Sequence, residues 1–263
     1  MATPQEIREQ AKAQWGHDPA GGLVVEDDEI GTPESFESIE RYRYQEQWWM
    51  ADTFHWEEFR GKRVLEVGVG LGTDHLQLAR AGAQLTGIDL TRRCVDLTNQ
   101  RLEQEGFRPD VEEMDAERLA FPDDSFDAVY SFGVLHHIPS MEAAFREIRR
   151  VVRPGGVFVG GLYNRHSLFY ARVRARRLLL AEWRHETLAE RHARIEYSRS
   201  DAQPYVRLLG ARELRKALND AGFRDVKIVR RHAGLGPLRE RVGHRVDDLL
   251  GRVGGWYLIH RAT

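Results

Sequence analysis

The sequence predicts an α/β fold built on a parallel sheet with helices on both faces, and three observations carry that prediction. Between Lys62 and about Tyr163, short apolar runs alternate with amphipathic helical stretches. Strand, helix and strand repeated in this way means a buried parallel sheet. Gly68, Gly70 and Gly72 stand at alternate positions directly behind the first run. Three acids, Glu66, Asp89 and Asp115, sit at or near the ends of the first three runs. In an open α/β sheet that gathers them at one edge, where ligands bind.

Taken in order, residues 1 to 60 read as two helical pieces parted by "WGHDPAGG" and the acidic "EDDEIGTPES". The second piece is crowded with aromatics, among them Tyr42, Tyr44, Trp48 and Trp49. It is expected to cover the site, with ordinary packing the better reading for the two tryptophans. "RVLEVGV", "AQLTGIDL", "VEEMDA", "FDAVYSF" and "GVFVGGLY" read as buried strands. Helices are expected over residues 74 to 81, 91 to 105 and 141 to 152. Asp123 and Asp124 read as turn residues, and Pro154, Gly155 and Gly156 as the turn into a strand. An Arg-rich helical insert at about 165 to 200 breaks the rhythm and is expected to serve, with the aromatic helix, as a lid over the site. The chain then returns to core with "ARELRKALNDAGF" as a helix, "DVKIVRR" as a strand, a helix near 238 to 250, and "GWYLIHR" as the last strand. The expected organisation is a helical cap over 1–60 and one domain over 61–263 that carries the insert.

Composition narrows the function classes. Of 263 residues, 39 are Lys or Arg and 41 are Asp or Glu, a net charge of -2. Such a balance gives no whole-chain electrostatic case for nucleic acid or an anionic membrane, though local patches stay open. Cys94 is the single cysteine, which excludes an intramolecular disulfide and a cysteine-rich metal cage. His185 and His192 lie seven apart and miss the H-E-x-x-H zinc spacing, so no metal is expected. The N-terminal "MATPQEIREQAKAQW" is too polar for a signal peptide, and no apolar run approaches the roughly 20 residues of a spanning helix. The expectation is a soluble cytoplasmic protein.

The glycine loop could serve a dinucleotide or an adenosyl group without phosphate. A dinucleotide loop aims a helix N-terminus at a pyrophosphate. Glu66, two residues before the first glycine, would repel one by roughly 4 kcal/mol per charge pair at about 4 Å and an effective dielectric near 20. A ligand ammonium group would instead be attracted to it. Asp89 can accept from both ribose hydroxyls, and Asp115 could accept from an adenine amino group.

Glu66 with Gly68, Gly70 and Gly72, then Asp89, Asp115-Ala116-Glu117, "FDAVYSFGVLHHIP" and "EIRRVVRPGGVFV" together resemble a class I S-adenosylmethionine-dependent methyltransferase. The subgroup is similar to the ubiquinone and menaquinone C-methyltransferases and their small-molecule relatives. The likeness is strong over residues 60 to 163 and one of layout over 204 to 263. It implies a Rossmann-like seven-stranded sheet with an antiparallel last strand, and S-adenosyl-L-methionine as cofactor. Carried over by position, Glu66 and the glycines hold the methionyl part, Asp89 the ribose, and Asp115 with Ala116 the adenine. Thr73, Leu90, Phe132 and Tyr44 complete the expected cofactor contacts.

The same resemblance sets His136 and His137 near the transferable methyl. A neutral imidazole there can act as a general base. His137 is preferred, because related loops more often keep a histidine at that second position; packing against the cofactor is the competing role. Tyr42, Tyr163, Arg172 and Arg176 are the expected acceptor contacts. Arg172 and Arg176 fall inside a helical stripe with Leu168, Phe169, Val173, Leu179, Leu180 and Trp183. Turned to the acceptor, they could hold a carboxylate or phosphate; otherwise they reach water or nearby acids.

The expected reaction is O-, N- or C-methylation of a small molecule, with a homodimer allowed for. Nucleic acid is disfavoured as acceptor: the chain lacks an Asn/Asp-Pro-Pro-Tyr/Phe motif and a Pro-Cys nucleophile, and no membrane partner is expected. Two other readings stay open, a protein that uses the bound cofactor without methyl transfer and an interaction protein on the same fold.

Overall fold

The computed structural model describes residues 2–179 and 204–263 apart from Pro237. Most of the expected insert, with His185 and His192, therefore lies outside the described residues. The seven expected strands form one sheet: β1 (Arg63–Val67), β2 (Gln84–Asp89), β3 (Val111–Glu113), β4 (Phe126–Phe132), β5 (Val152–Tyr163), β6 (Lys227–Arg231) and β7 (Tyr257–Ala262). Their order is β3-β2-β1-β4-β5-β7-β6. Strands β1 to β5 pair in parallel, and β7 runs antiparallel to both neighbours. The order reverses between β1 and β4, the switch point above which α/β sheets bind ligands.

Helices cover both faces. The expected ones are present as α4 (Thr73–Arg80), α5 (Arg92–Gln104), α6 (Met141–Val151) and α8 (Ala211–Asp220), with α7 (Leu168–Leu179) opening the insert. Side-chain caps fix several starts: Thr91 accepts from the Cys94 amide and Ser140 from the Ala143 amide. One face buries Leu65, Val67, Val129 and Phe158 against Phe145, Ile148, Leu218 and Phe223.

The opposite face buries Val64, Tyr130 and Phe132 against Trp49, Met50, Phe54 and Phe59. The N-terminal segment thus divides. Helices α1 (Pro4–His17) and α2 (Pro33–Glu46) border the crevice, whereas the stretch around α3 (Ala51–Phe54) packs Trp49, Met50, Phe54, Trp56 and Phe59 into the sheet core. Trp49 packs on Phe132 and Tyr257, as ordinary packing requires.

Two expected elements differ in detail. Pro154, Gly155 and Gly156 do not end a turn before β5. They form an irregularity within it, where pairing with β4 jumps from Phe126↔Val152 to Ala128↔Val157. The expected helix near 238 to 250 is two, α9 (Leu238–Val242) and α10 (His244–Gly254). Gly243 separates them at φ 81°, a conformation that interrupts a right-handed helix.

Candidate active site

A crevice of about 270 Å³ opens at the carboxyl ends of β1, β2 and β4. Its floor is lined by Glu66, Gly68, Gly70, Thr73, Asp89, Leu90, Asp115 and Ala116, with Phe132 beside them. The glycine loop is shaped by what it touches. A Cβ at Gly68 would collide with Val134, while one at Gly70 would meet no protein atom within 4 Å. Gly70 therefore leaves space for a ligand and Gly68 for the chain itself. Gly72 is not on the wall; it packs against Thr98 and starts α4.

Each strand-end acid is held differently. Asp89 Oδ1 accepts from the Thr91 amide and hydroxyl, both at 2.9 Å, and Oδ2 from the Gly70 amide at 3.0 Å. Burial raises its pKa, and these bonds oppose the shift. Glu66 is buried at 3% exposure, and burial, with Asp74 and Asp89 nearby, raises its pKa well above the usual carboxylate value. Its Oε2 meets His75 Nδ1 at 2.8 Å. Burial holds His75 neutral, its pKa lowered to about 3. Glu66 Oε1 makes no hydrogen bond to a described residue, which suits an incoming ammonium group. Asp115 accepts from the Glu117 amide through Oδ1 and from Arg8 Nε through Oδ2, both at 2.9 Å.

Asp74 and Arg43, both on the crevice wall, belong to a charge cluster that the sequence did not disclose. Asp74 accepts from Arg43, from the Tyr44 hydroxyl at 3.0 Å and from the Tyr130 hydroxyl at 2.9 Å. Tyr44 is consequently turned onto Asp74 and does not line the crevice, correcting its expected cofactor contact. Arg101, at 2% exposure, joins the glycine loop to α2. It donates to Leu71 O and Thr73 Oγ1 on one side and to Phe36 O and Glu40 on the other. The Thr73 hydroxyl thus serves the loop's own support.

The roof is α1, the first of the two expected helical pieces of the cap, whose contacts with the crevice the sequence did not disclose. Ala11 and Trp15 line the crevice from above, and Arg8 ties the helix to Asp115 and Glu117. A Thr3–Glu6 capping box and Pro4 start it. Those local signals, at positions 3 to 6, mark where the helix starts but not its partner.

The far end is lined by Tyr42, Glu46, His137, Ile138 and Tyr163. His137 Nδ1 lies 2.9 Å from Tyr205 O. A carbonyl only accepts, so Nδ1 carries a proton, and in the neutral ring Nε2 carries the lone pair. His136, expected beside it as a second catalytic candidate, is fully buried and does not line the crevice. Its ring lies 4.0 Å from that of Tyr163 and its nitrogens have no hydrogen-bond partner among the described residues. Arg172 is exposed, sits over Phe169, and is not on the wall. The side chain of Arg176 lies outside the described residues.

Comparison with known proteins agrees with this geometry. Residues 65–160 match the family model of a methyltransferase domain. A sterol 24-C-methyltransferase of Gibberella zeae is 30% identical over 166 residues, 62% of this chain and 39% of the relative. A fatty-acid O-methyltransferase of Mycolicibacterium smegmatis is 38% identical over 136 residues, 51% of this chain and 48% of the relative. A ubiquinone biosynthesis O-methyltransferase of Ralstonia nicotianae is 36% identical over 111 residues, 42% and 47% of the two chains. The chain spans half or less of the length of these curated relatives. Among solved structures, the cyclase SpnF superposes with a TM-score of 0.54 at 23% identity, over 86% of this chain and 80% of its own. An S-adenosylmethionine-dependent methyltransferase of Mesorhizobium loti gives 0.54 at 19%, over 78% and 92%. Residues 65–160, which carry the glycine loop and the strand-end acids, thus match a methyltransferase domain, and the seven-stranded order with antiparallel β7 is the fold shared with these solved structures.

Proposed function

We propose that the protein transfers a methyl group from S-adenosyl-L-methionine to a small, largely apolar acceptor. The observation that carries this reading is the junction, in one crevice, of the acid-lined floor with an aromatic far end. Glu66 Oε1 would accept from the ligand's ammonium group, Asp89 from the ribose hydroxyls and Asp115 from the adenine amine. The cofactor, when bound, supplies an electrophilic sulfonium methyl. The protein's share is then alignment and exclusion of water, with α1 as cover. His137, through Nε2, would take the proton of a hydroxyl or amine acceptor.

The acceptor class follows from charge and lining. Arg43 is engaged by Asp74 and Glu46 by Arg239, so neither is an uncommitted charge for a ligand. Trp15, Tyr42, Ile138 and Tyr163 supply apolar surface. Three relatives are named for sterol, fatty-acid and ubiquinone methylation, which supports an apolar acceptor. With Arg172 outside the crevice, a forked clamp on an acidic acceptor finds no support.

The test is methyl transfer from labelled cofactor to a panel of sterols, phenolic quinone precursors and fatty acids. A labelled product is expected with at least one class. For a hydroxyl acceptor, His137→Ala should lower kcat at least about tenfold while cofactor affinity holds. An equal fall in both would make His137 a packing residue. Tight cofactor binding with no transfer to any class would favour use of the cofactor without methyl transfer.

A further inference from the structure

The whole chain is slightly acidic, yet residues 227 to 254 carry seven Lys and Arg against three Asp and Glu. Within this stretch, α10 is amphipathic in an unusual sense. Its Asp247, Gly251 and Gly254 are buried, and Gly251 packs on the backbone of His232 and Ala233 just beyond β6. The outward side is apolar as well: Leu249 is 66% exposed and Val253 75%, with Val246 and Val242 alongside. At ~100° per residue, Val246, Leu249 and Val253 form one stripe, flanked by Arg245 and Arg252.

Arg252 is paired with Asp248. Arg241 and Arg245 are exposed and have no acidic partner among the described residues. Strand β6 reaches the parallel direction through two antiparallel pairings, so its carboxyl end, where α10 lies, is the crevice side of the sheet. The neighbouring α9 touches the crevice wall through Arg239, which donates to Glu46. Trp48, two residues beyond Glu46, packs on His244 at 4.8 Å.

We propose that this face docks the protein on an anionic phospholipid surface, with the crevice rim turned toward the bilayer. An aliphatic stripe bordered by arginines is the pattern of a helix lying in a membrane interface. Arginine charge complements anionic headgroups. A second copy is the weaker occupant, because a two-fold contact would set Arg241 and Arg245 against their own counterparts.

The test is sedimentation of the full chain with vesicles of phosphatidylcholine alone and of phosphatidylcholine with phosphatidylglycerol. It needs no cofactor and no turnover, so its failure is distinct from failure of the methyltransferase reading. Binding is expected only to the mixed vesicles, weakening at high salt. Arg241→Glu/Arg245→Glu and Leu249→Asp/Val253→Asp should each lower partitioning at least about tenfold, with circular dichroism unchanged. Wild-type protein that ignores the mixed vesicles, or variants that bind them as wild type does, overturns the proposal. Variants that lose self-association while keeping vesicle binding would assign the face to a second copy and overturn it too.

Discussion

Asp89 on the crevice floor takes its hydrogen bonds from Thr91, two residues away, and from Gly70, nineteen away. Arg8 in the roof reaches Asp115 and Glu117, 107 and 109 positions along the chain. The floor is thus set by neighbouring strand ends and the loop between them, buried and closely bonded. The roof is held by ion pairs of Arg8, which is 36% exposed, by Arg93 donating to Gly16 O and His17 O and by buried Ile7 and Ala11; the ion pairs are worth little individually. A site with a rigid floor and a weakly tethered roof can admit ligand from above without disturbing the groups that read it.

The largest expected effect breaks the charge cluster that braces the crevice wall and floor. Asp74→Ala removes the acceptor of Arg43, Tyr44 and Tyr130 together. Losing one partner of a buried pair should cost about 3 kcal/mol in urea unfolding. A loss below roughly 1 kcal/mol would mean that the cluster does not brace the floor.

A second effect comes from the dry sheet behind both regions. His260 is buried against Phe158, with neither ring nitrogen bonded among the described residues, and burial lowers its pKa from 6.5 to about 3. The folded state therefore resists a proton that the unfolded chain accepts. The penalty is absent above pH 6.5, grows as pH falls, and levels off near pH 3. Between pH 7 and pH 5 one such histidine should remove about 2 kcal/mol of stability. His260→Phe should flatten the pH dependence by that amount; an unchanged slope would contradict neutral burial.

The smallest effect belongs to the roof. Arg8→Ala should cost at most about 1 kcal/mol of stability, yet speed dissociation of S-adenosylhomocysteine and expose α1 to proteolysis. A variant with unaltered dissociation would show that α1 does not act as a cover.

The same contrast explains what the sequence revealed. Glu66, Asp89 and Asp115 were legible because parallel strands place their carboxyl ends at one edge, and the glycine spacing named the loop between them. The seven strands followed from apolar periodicity. Trp15, Arg8 and Arg43 were not legible, since their roles depend on distant partners that no local pattern encodes. Tyr44 shows the limit plainly: an aromatic beside the site is as easily turned onto a buried acid as onto a ligand. Arg172 makes the same point on α7, where a helical stripe fixed its side of the helix but not what that side would meet.

The most direct test of the floor is calorimetric titration of S-adenosylhomocysteine into the wild-type chain and Asp89→Ala. One site per chain is predicted for the wild type. The variant should keep its fold and lose about 1.5 to 3 kcal/mol of binding, a charged acceptor's usual worth. No binding by the wild type, or equal affinity in the two proteins, would contradict the account.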